Sequence, residues 1–172
     1  VTLVWREAAL SHDHDRKAFD CGEPALNDYL QKYARQNHES GGAKTFAAVD
    51  PGAPTIILGY YTLSPASIDY ARTPNIVRRG LGRYDVPVYR LGRLAVACAV
   101  QGRGLGAGLL IAAGRRCLAV AAEVGGVALL IDAKSERAAQ WYESFGAVPM
   151  ADAPLTLVLP LATIADALEA SR

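Results

Sequence analysis

Cysteine, methionine and lysine are all scarce in this sequence, and each scarcity excludes something. There are 3 cysteines in 172 residues, an odd number, and Cys21, Cys98 and Cys117 stand at no metal-ligand spacing. That excludes a disulfide framework and a zinc scaffold, so no metal is expected, and three reduced thiols fit a cytoplasmic chain. The longest apolar run, Leu94 to Val100, has seven residues. Crossing a bilayer takes about 20, so no membrane role is expected. The N-terminus lacks the basic-then-apolar pattern of an export signal. The first residue is Val1 and not methionine, which leaves room for an initiator or short leader ahead of it. No Gly-Lys-Ser/Thr triplet occurs, which removes the P-loop nucleotide triphosphatases. No repeat, low-complexity tract or linker divides the chain, and residues 1–172 are expected to form a single domain.

What is present is ordinary globular composition: 51% hydrophobic and 20% charged residues, with a net charge of +1. The charge is unevenly placed. From Arg72 to Arg103 there are seven arginines and one acid, Asp85, so that window carries +6 and the rest of the chain −5. The basic residues are fourteen Arg and four Lys. Arginine's planar fork matches phosphate oxygens better than an ammonium does, so the window points to an anionic partner.

Hydrophobic spacing places the elements. Thr2–Glu7 reads as a first strand. A helix opens at Pro24 and carries Leu26, Tyr29, Leu30 and Tyr33 on one face, ending between His38 and Gly42. Two strands, Lys44–Val49 and Ile56–Leu63, flank a Pro-Gly turn. Ser64–Val86 is irregular, with a short helix near Ile76–Gly80. A strand at Val88–Val96 leads to a glycine-rich stretch and then a long apolar helix, Leu109–Glu123. Val127–Asp132 is a strand covered on both faces. Ser135–Phe145 is a helix with Ser135 as N-cap and Gly146 as its stop. A strand at Leu155–Leu159 and a helix at Leu161–Glu169 close the chain. Antiparallel strands come first and a β–α–β crossover follows.

The informative feature is Gln101-Gly102-Arg103-Gly104-Leu105-Gly106-Ala107-Gly108, set between a strand and a buried helix. A helix start leaves backbone N–H groups unpaired and partly positive, and glycines let an anion reach them. Gly102-x-Gly104-x-x-Ala107 fits a dinucleotide fingerprint, with Asp132 in place of its ribose-binding acid. Two features oppose that reading: Cys98 to Gln101 separate the strand from the first glycine, and only forty residues follow Asp132.

Gln101-x-x-Gly104-x-Gly106, after the strand Arg93-Leu94-Ala95-Val96, resembles the Q/R-x-x-G-x-G/A signature of the GNAT acetyltransferases. The resemblance covers most of the chain. It implies an α/β (α+β) GNAT fold: a central, mixed, mostly antiparallel sheet flanked by helices, with a splayed strand pair and a glycine-rich loop–helix for coenzyme A. It implies acetyl-CoA as donor, held by Leu94, Ala95 and Val96 on the strand. It adds Gln101, Gly102, Arg103, Gly104, Leu105, Gly106, Ala107 and Gly108 at the loop, and Ser135.

Finer matches lie at Asp20 to Leu30, Gly41 to Phe46, Gly59 to Ser64 and Ala133 to Gly146. These resemble the TacT-like toxin branch, which acetylates the α-amino group of aminoacyl-tRNA. That likeness implies Tyr142 as general acid, a ribbon–helix–helix antitoxin that binds operator DNA and represses its own operon, and a homodimer. It gives Arg78, Arg79, Arg83, Arg90 and Arg93 a role on tRNA phosphates. The chemistry is consistent with it. An α-amino group with pKa about 8 is partly neutral at pH 7, so it needs no strong protein base, and no carboxylate–His pair stands out here. Two alternatives stay open: a GNAT enzyme for a small amine or a protein N-terminus, and a non-catalytic co-repressor module.

Overall fold

The computed structural model describes residues 2–172. In chain order the elements are β1 (Arg6–Ala9), α1 (Pro24–Lys32), α2 (Ala34–Ser40), β2 (Lys44–Asp50), β3 (Ala53–Ile68), α3 (Asn75–Arg78) and β4 (Val86–Val96). They continue with α4 (Leu105–Val124), β5 (Ala128–Asp132), α5 (Glu136–Glu143), β6 (Val148–Met150), β7 (Ala153–Pro160) and α6 (Leu161–Ala170). The sheet order is β1-β2-β3-β4-β5-β7-β6. Only the β4–β5 pair is parallel among the pairings given by register, so the sheet is mixed and mostly antiparallel, as the resemblance implied. The chain divides into two compact units, Val1–Ser64 with Arg93–Ala112, and Pro65–Gly92 with Ala113–Arg172.

In the first unit β2 pairs antiparallel with β1 and with β3. Its apolar cluster joins Leu10, Phe19, Tyr29, Leu30, Val49, Ile57 and Tyr60. The single helix expected from Pro24 is two helices, broken at Tyr33 (φ −122°, ψ −28°). The break turns Ala34 into the core, where it is fully buried. Gly41, at φ +86°, then ends α2 in the left-handed conformation open to glycine. The first strand begins at Arg6 and not at Thr2. Apolar Trp5 is used elsewhere: its ring lies where a side chain on Gly108 would stand, 2.8 Å from an ideal Cβ. On β2 the buried hydroxyl of Thr45 finds no hydrogen-bond partner among the described residues.

In the second unit β5 pairs antiparallel with β7 from Ala128↔Pro160 to Asp132↔Thr156, and β6 forms a hairpin with β7. The cluster of Ile68, Val77, Val86, Val88, Leu130, Met150 and Val158 fills this unit. Strand β6 was not anticipated: three residues around Pro149 are too short to show a period of two. Strand β3 runs through Ile68, so the stretch expected to be irregular opens as strand, and its helix is the four residues Asn75–Arg78.

Helix α4 begins at Leu105, four residues before Leu109, so Gly106 and Gly108 belong to its first turn. It is 20 residues long and apolar enough, by length and composition, to cross a membrane. Its middle carries Arg115 and Arg116, both exposed, and a third of its apolar window is buried in the protein.

Candidate active site

In the first unit β4 ends at Val96 and the glycine loop follows. Ala97 N–H donates to Leu58 O at 2.8 Å, and Ala95 O lies 2.8 Å from an ideal Cβ on Gly59. Residues 95 and 97 therefore turn their backbone groups toward β3, and by strand alternation Leu94 and Val96 turn theirs to the opposite edge. The parallel ladder of β4 with β5 ends at Leu91↔Ile131, five residues before β4 does. Leu94 and Val96 thus lie beyond the last rung of that ladder.

Gly102 (φ +79°) and Gly104 (φ +85°) are left-handed, and a Cβ on either would enter open space. Gly108 N–H donates to Gly104 O, so the N–H groups before it have no acceptor within the helix. This is a bare, positively polarised cradle with room above it, and it fits a diphosphate. Arg103 beside it is exposed, and no ion pair engages it among the described residues. Gly108 has another reason to be glycine, the Trp5 ring.

Gln101 is committed inside the protein. Its Nε2 donates to Val96 O at 2.9 Å and to Cys21 O at 3.0 Å. Cys21 N–H donates in turn to Asn27 Oδ1 at 2.9 Å, and Cys98 N–H to Asp20 O at 2.8 Å. The Asp20 carboxylate accepts from Gly22 N–H and Asn27 Nδ2, and these bonds hold its pKa below the usual carboxylate value. This network joins the start of α1 to the loop. Sequence reading did not assign it, although Asp20-Cys21-Gly22 carries the aspartate-turn signal. Arg93 lies over the Tyr29 ring, 3.5 Å from its centroid.

In the second unit Ser135 caps α5, accepting from Ala138 N–H at 3.2 Å. Tyr142 sits on that helix with 6% of its surface exposed, its ring edge-on to Trp141 at 4.9 Å. Burial, and then the Asp132 carboxylate, push its phenol pKa upward. No hydrogen bond among the described residues engages its hydroxyl. A protonated, unengaged phenol is what proton donation requires. Asp132 also pairs with Arg90 at 3.5 Å.

The arginines divide. Arg78, read from sequence as an RNA contact, donates to Asn75 Oδ1 and Tyr70 O and lies over the Tyr70 ring, so it braces its own loop. Arg79 and Arg83 are exposed and form no ion pair among the described residues. Among those residues no group of three or more His, Cys, Asp or Glu is placed to hold a metal ion.

No protein-family model matches the chain. A curated relative, a tRNA-acetylating toxin of Mycobacterium tuberculosis (strain ATCC 25618 / H37Rv), is 39% identical over 150 residues, 87% of this chain and 88% of that one. A probable toxin TacT of Sinorhizobium fredii (strain NBRC 101917 / NGR234) is 27% identical over 159 residues, covering 88% and 87%. Among solved structures, AtaT complexed with acetyl-methionyl-tRNAfMet superposes with a TM-score of 0.88 at 27% identity, covering 96% of this chain and 99% of that one. A tyrosine-to-phenylalanine variant of AtaT, bound to the C-terminus of the antitoxin AtaR and acetyl-CoA, gives 0.82 at 27% identity over 95% and 98%. The KacTA–DNA complex gives 0.82 at 27% identity over 96% and 99%. With identity of 39% across most of both sequences, this chain belongs to the TacT-like tRNA-acetylating toxins of the GNAT superfamily, acetyltransferases that draw on acetyl-CoA.

Proposed function

We propose that this chain moves acetyl from acetyl-CoA to the α-amino group of aminoacyl-tRNA, with Tyr142 as general acid, and so stops translation. Residues 1–172 act as one GNAT domain in this reading. The observation that carries it is the cradle at the head of α4, left-handed glycines with open space above unpaired N–H groups. Acetyl-CoA, as donor substrate, supplies an activated thioester. Backbone N–H groups of Gly102–Ala107 and the Arg103 guanidinium bind its diphosphate. Leu94 and Val96, on the open edge of β4, offer backbone groups to the pantetheine arm and the acetyl carbonyl. The α-amine attacks in its neutral form, abundant near pH 8 without a protein base. Its nitrogen forms the new bond to the acetyl carbon, the carbon–sulfur bond breaks, the leaving thiolate takes the Tyr142 proton, and the proton shed by the acylated nitrogen passes through solvent to restore the phenol.

Arg79, Arg83 and Arg93 hold tRNA phosphates in this scheme. Arg78 and Arg90 act through the contacts that brace them. A ribbon–helix–helix antitoxin neutralises the chain and carries it to operator DNA, in keeping with the AtaT–AtaR and KacTA–DNA neighbours. A homodimer belongs to the same family reading. The site of action is the cytoplasm, where charged tRNA is made and thiols stay reduced.

Incubation with labelled acetyl-CoA and bulk charged tRNA tests the proposal. Label on the amino acid of one or a few aminoacyl-tRNAs is the expected result. Label on free amines or peptide N-termini, with none on charged tRNA, would replace it with the small-amine reading.

A further inference from the structure

The loop between α3 and β4 carries more than its two open arginines. Leu81 packs against the apolar cluster of the second unit and anchors it. Tyr84 does the opposite, with 82% of its surface exposed. One edge of its ring rests against Gly82, where an ideal Cβ would lie 3.1 Å from Cδ2 and 3.2 Å from Cε2. Beside it is an open depression of about 180 Å³, lined by Leu81, Gly82, Tyr84, Asp85, Val86 and Pro87. A cavity of about 150 Å³ admits one benzene ring, so this one has room for a single planar base.

An exposed tyrosine alone would mean nothing. The charges around it add the second observation. Asp85 is the single acid between Arg72 and Arg103, yet it forms no ion pair among the described residues. Arg79 and Arg83, within six residues of it, form none either. The wall beside Tyr84 thus carries one acceptor-only group with no ion pair among the described residues, and the chain leading into it carries two exposed cations.

We propose that residues 81–87 form a pocket for one unpaired nucleobase of the tRNA, stacked on Tyr84, with its exocyclic amino group donating to Asp85. This rests on the RNA reading given above. A carboxylate accepts and cannot donate, so it favours the exocyclic amino group of cytosine or adenine over uracil, whose one ring N–H is flanked by two carbonyl oxygens. The unpaired 3′ end of tRNA, C-C-A, offers only bases of this kind, and the first cytosine is the one meant, because Val86 stands eight residues, about 26 Å, along β4 from Leu94, where the charged adenosine brings its amine. Arg79 and Arg83 take the flanking phosphates. An acidic peptide in the same place would meet Asp85 as a like charge.

The test uses uncharged tRNA, intact or trimmed of its 3′ C-C-A, with the parent protein and Tyr84→Ala, Tyr84→Phe and Asp85→Asn. Tyr84→Ala should weaken binding of intact tRNA by about tenfold and leave trimmed tRNA unchanged, while Tyr84→Phe keeps the stack and the affinity. Its salt slope should match that of the parent, because no phosphate contact is lost. Asp85→Asn should lessen the preference for C over U in tRNAs altered at the 3′ end. Equal losses on intact and trimmed tRNA, or no loss on either, overturn the pocket. An unshifted melting temperature for Tyr84→Ala excludes misfolding as the cause. A parent protein that never acetylates charged tRNA overturns the functional reading instead, and the binding comparison still decides the pocket.

Discussion

Gln101 reaches back along the chain to donate its side-chain amide to the carbonyl of Val96, 2.9 Å away. The same nitrogen donates to Cys21 O. On the open edge of β4 the Val96 carbonyl is therefore occupied, which leaves its N–H to face the donor. Replacing Gln101 with Met keeps the length and removes both bonds. Each hydrogen bond is worth about 1 kcal/mol net, so losing both should lower acetyl-CoA affinity in calorimetry by up to about thirtyfold. Gln101→Arg restores N–H donors and should recover most of it. Equal affinities for the parent and Gln101→Met would show that the bonds do not set the loop.

Tyr142→Phe removes one hydroxyl from a buried ring. If the phenol protonates the leaving thiolate, kcat should fall by about 10²–10⁴-fold with little change in either KM. Cells expressing the Phe variant should grow.

The pH profile follows from the same group. Burial and Asp132 raise the Tyr142 pKa, so the phenol stays protonated throughout the working range. Activity should rise with pH as the substrate amine loses its proton near about pH 8, and should not fall again before about pH 10. Stability runs the other way in alkali. Above the unfolded tyrosine pKa, about 10, the unfolded chain releases protons that the native Tyr142 and Tyr60 retain, so stability declines as pH rises further. A thermal-melt series from pH 8 to 11 checks the sign.

Arg79→Ala and Arg83→Ala should each reduce the slope of log affinity for tRNA against log salt by about 0.7, the share of one single-strand phosphate. Arg78→Ala should instead lower the melting temperature, since its guanidinium holds Asn75 and Tyr70 in place. A double variant at 79 and 83 with an unchanged salt slope would remove both from the RNA surface.

Gly104 and Gly108 should respond to alanine for different reasons. At Gly104 there is space but a left-handed backbone, so strain of about 1–2 kcal/mol falls on the loop and acetyl-CoA binding suffers. At Gly108 the new methyl meets Trp5, so the expected loss of about 1–3 kcal/mol is in stability. Trp5→Phe in the Gly108→Ala background should relieve part of that loss.

Most elements were legible because their signals are local. Pro24 marked the start of α1, Ser135 and Gly146 bracketed α5, and alternating glycines marked the head of α4. What stayed hidden depends on residues distant in sequence. Nothing near Trp5 says that its ring covers Gly108, 103 positions later, so Thr2–Glu7 looked like strand throughout. Charge could be counted, but its commitments could not: Arg78 and Arg79 are neighbours, and one is bound internally while the other stands open. Gln101 was found through its motif, yet its contacts are with carbonyls of this chain.

The lone hydroxyl on β2 has a practical consequence. Threonine and valine share a shape, so Thr45→Val would exchange an orphaned oxygen for a methyl group without moving its neighbours. Hiding an unsatisfied polar atom costs about 1–3 kcal/mol, and this substitution should return much of it as a sturdier protein for purification and crystal growth.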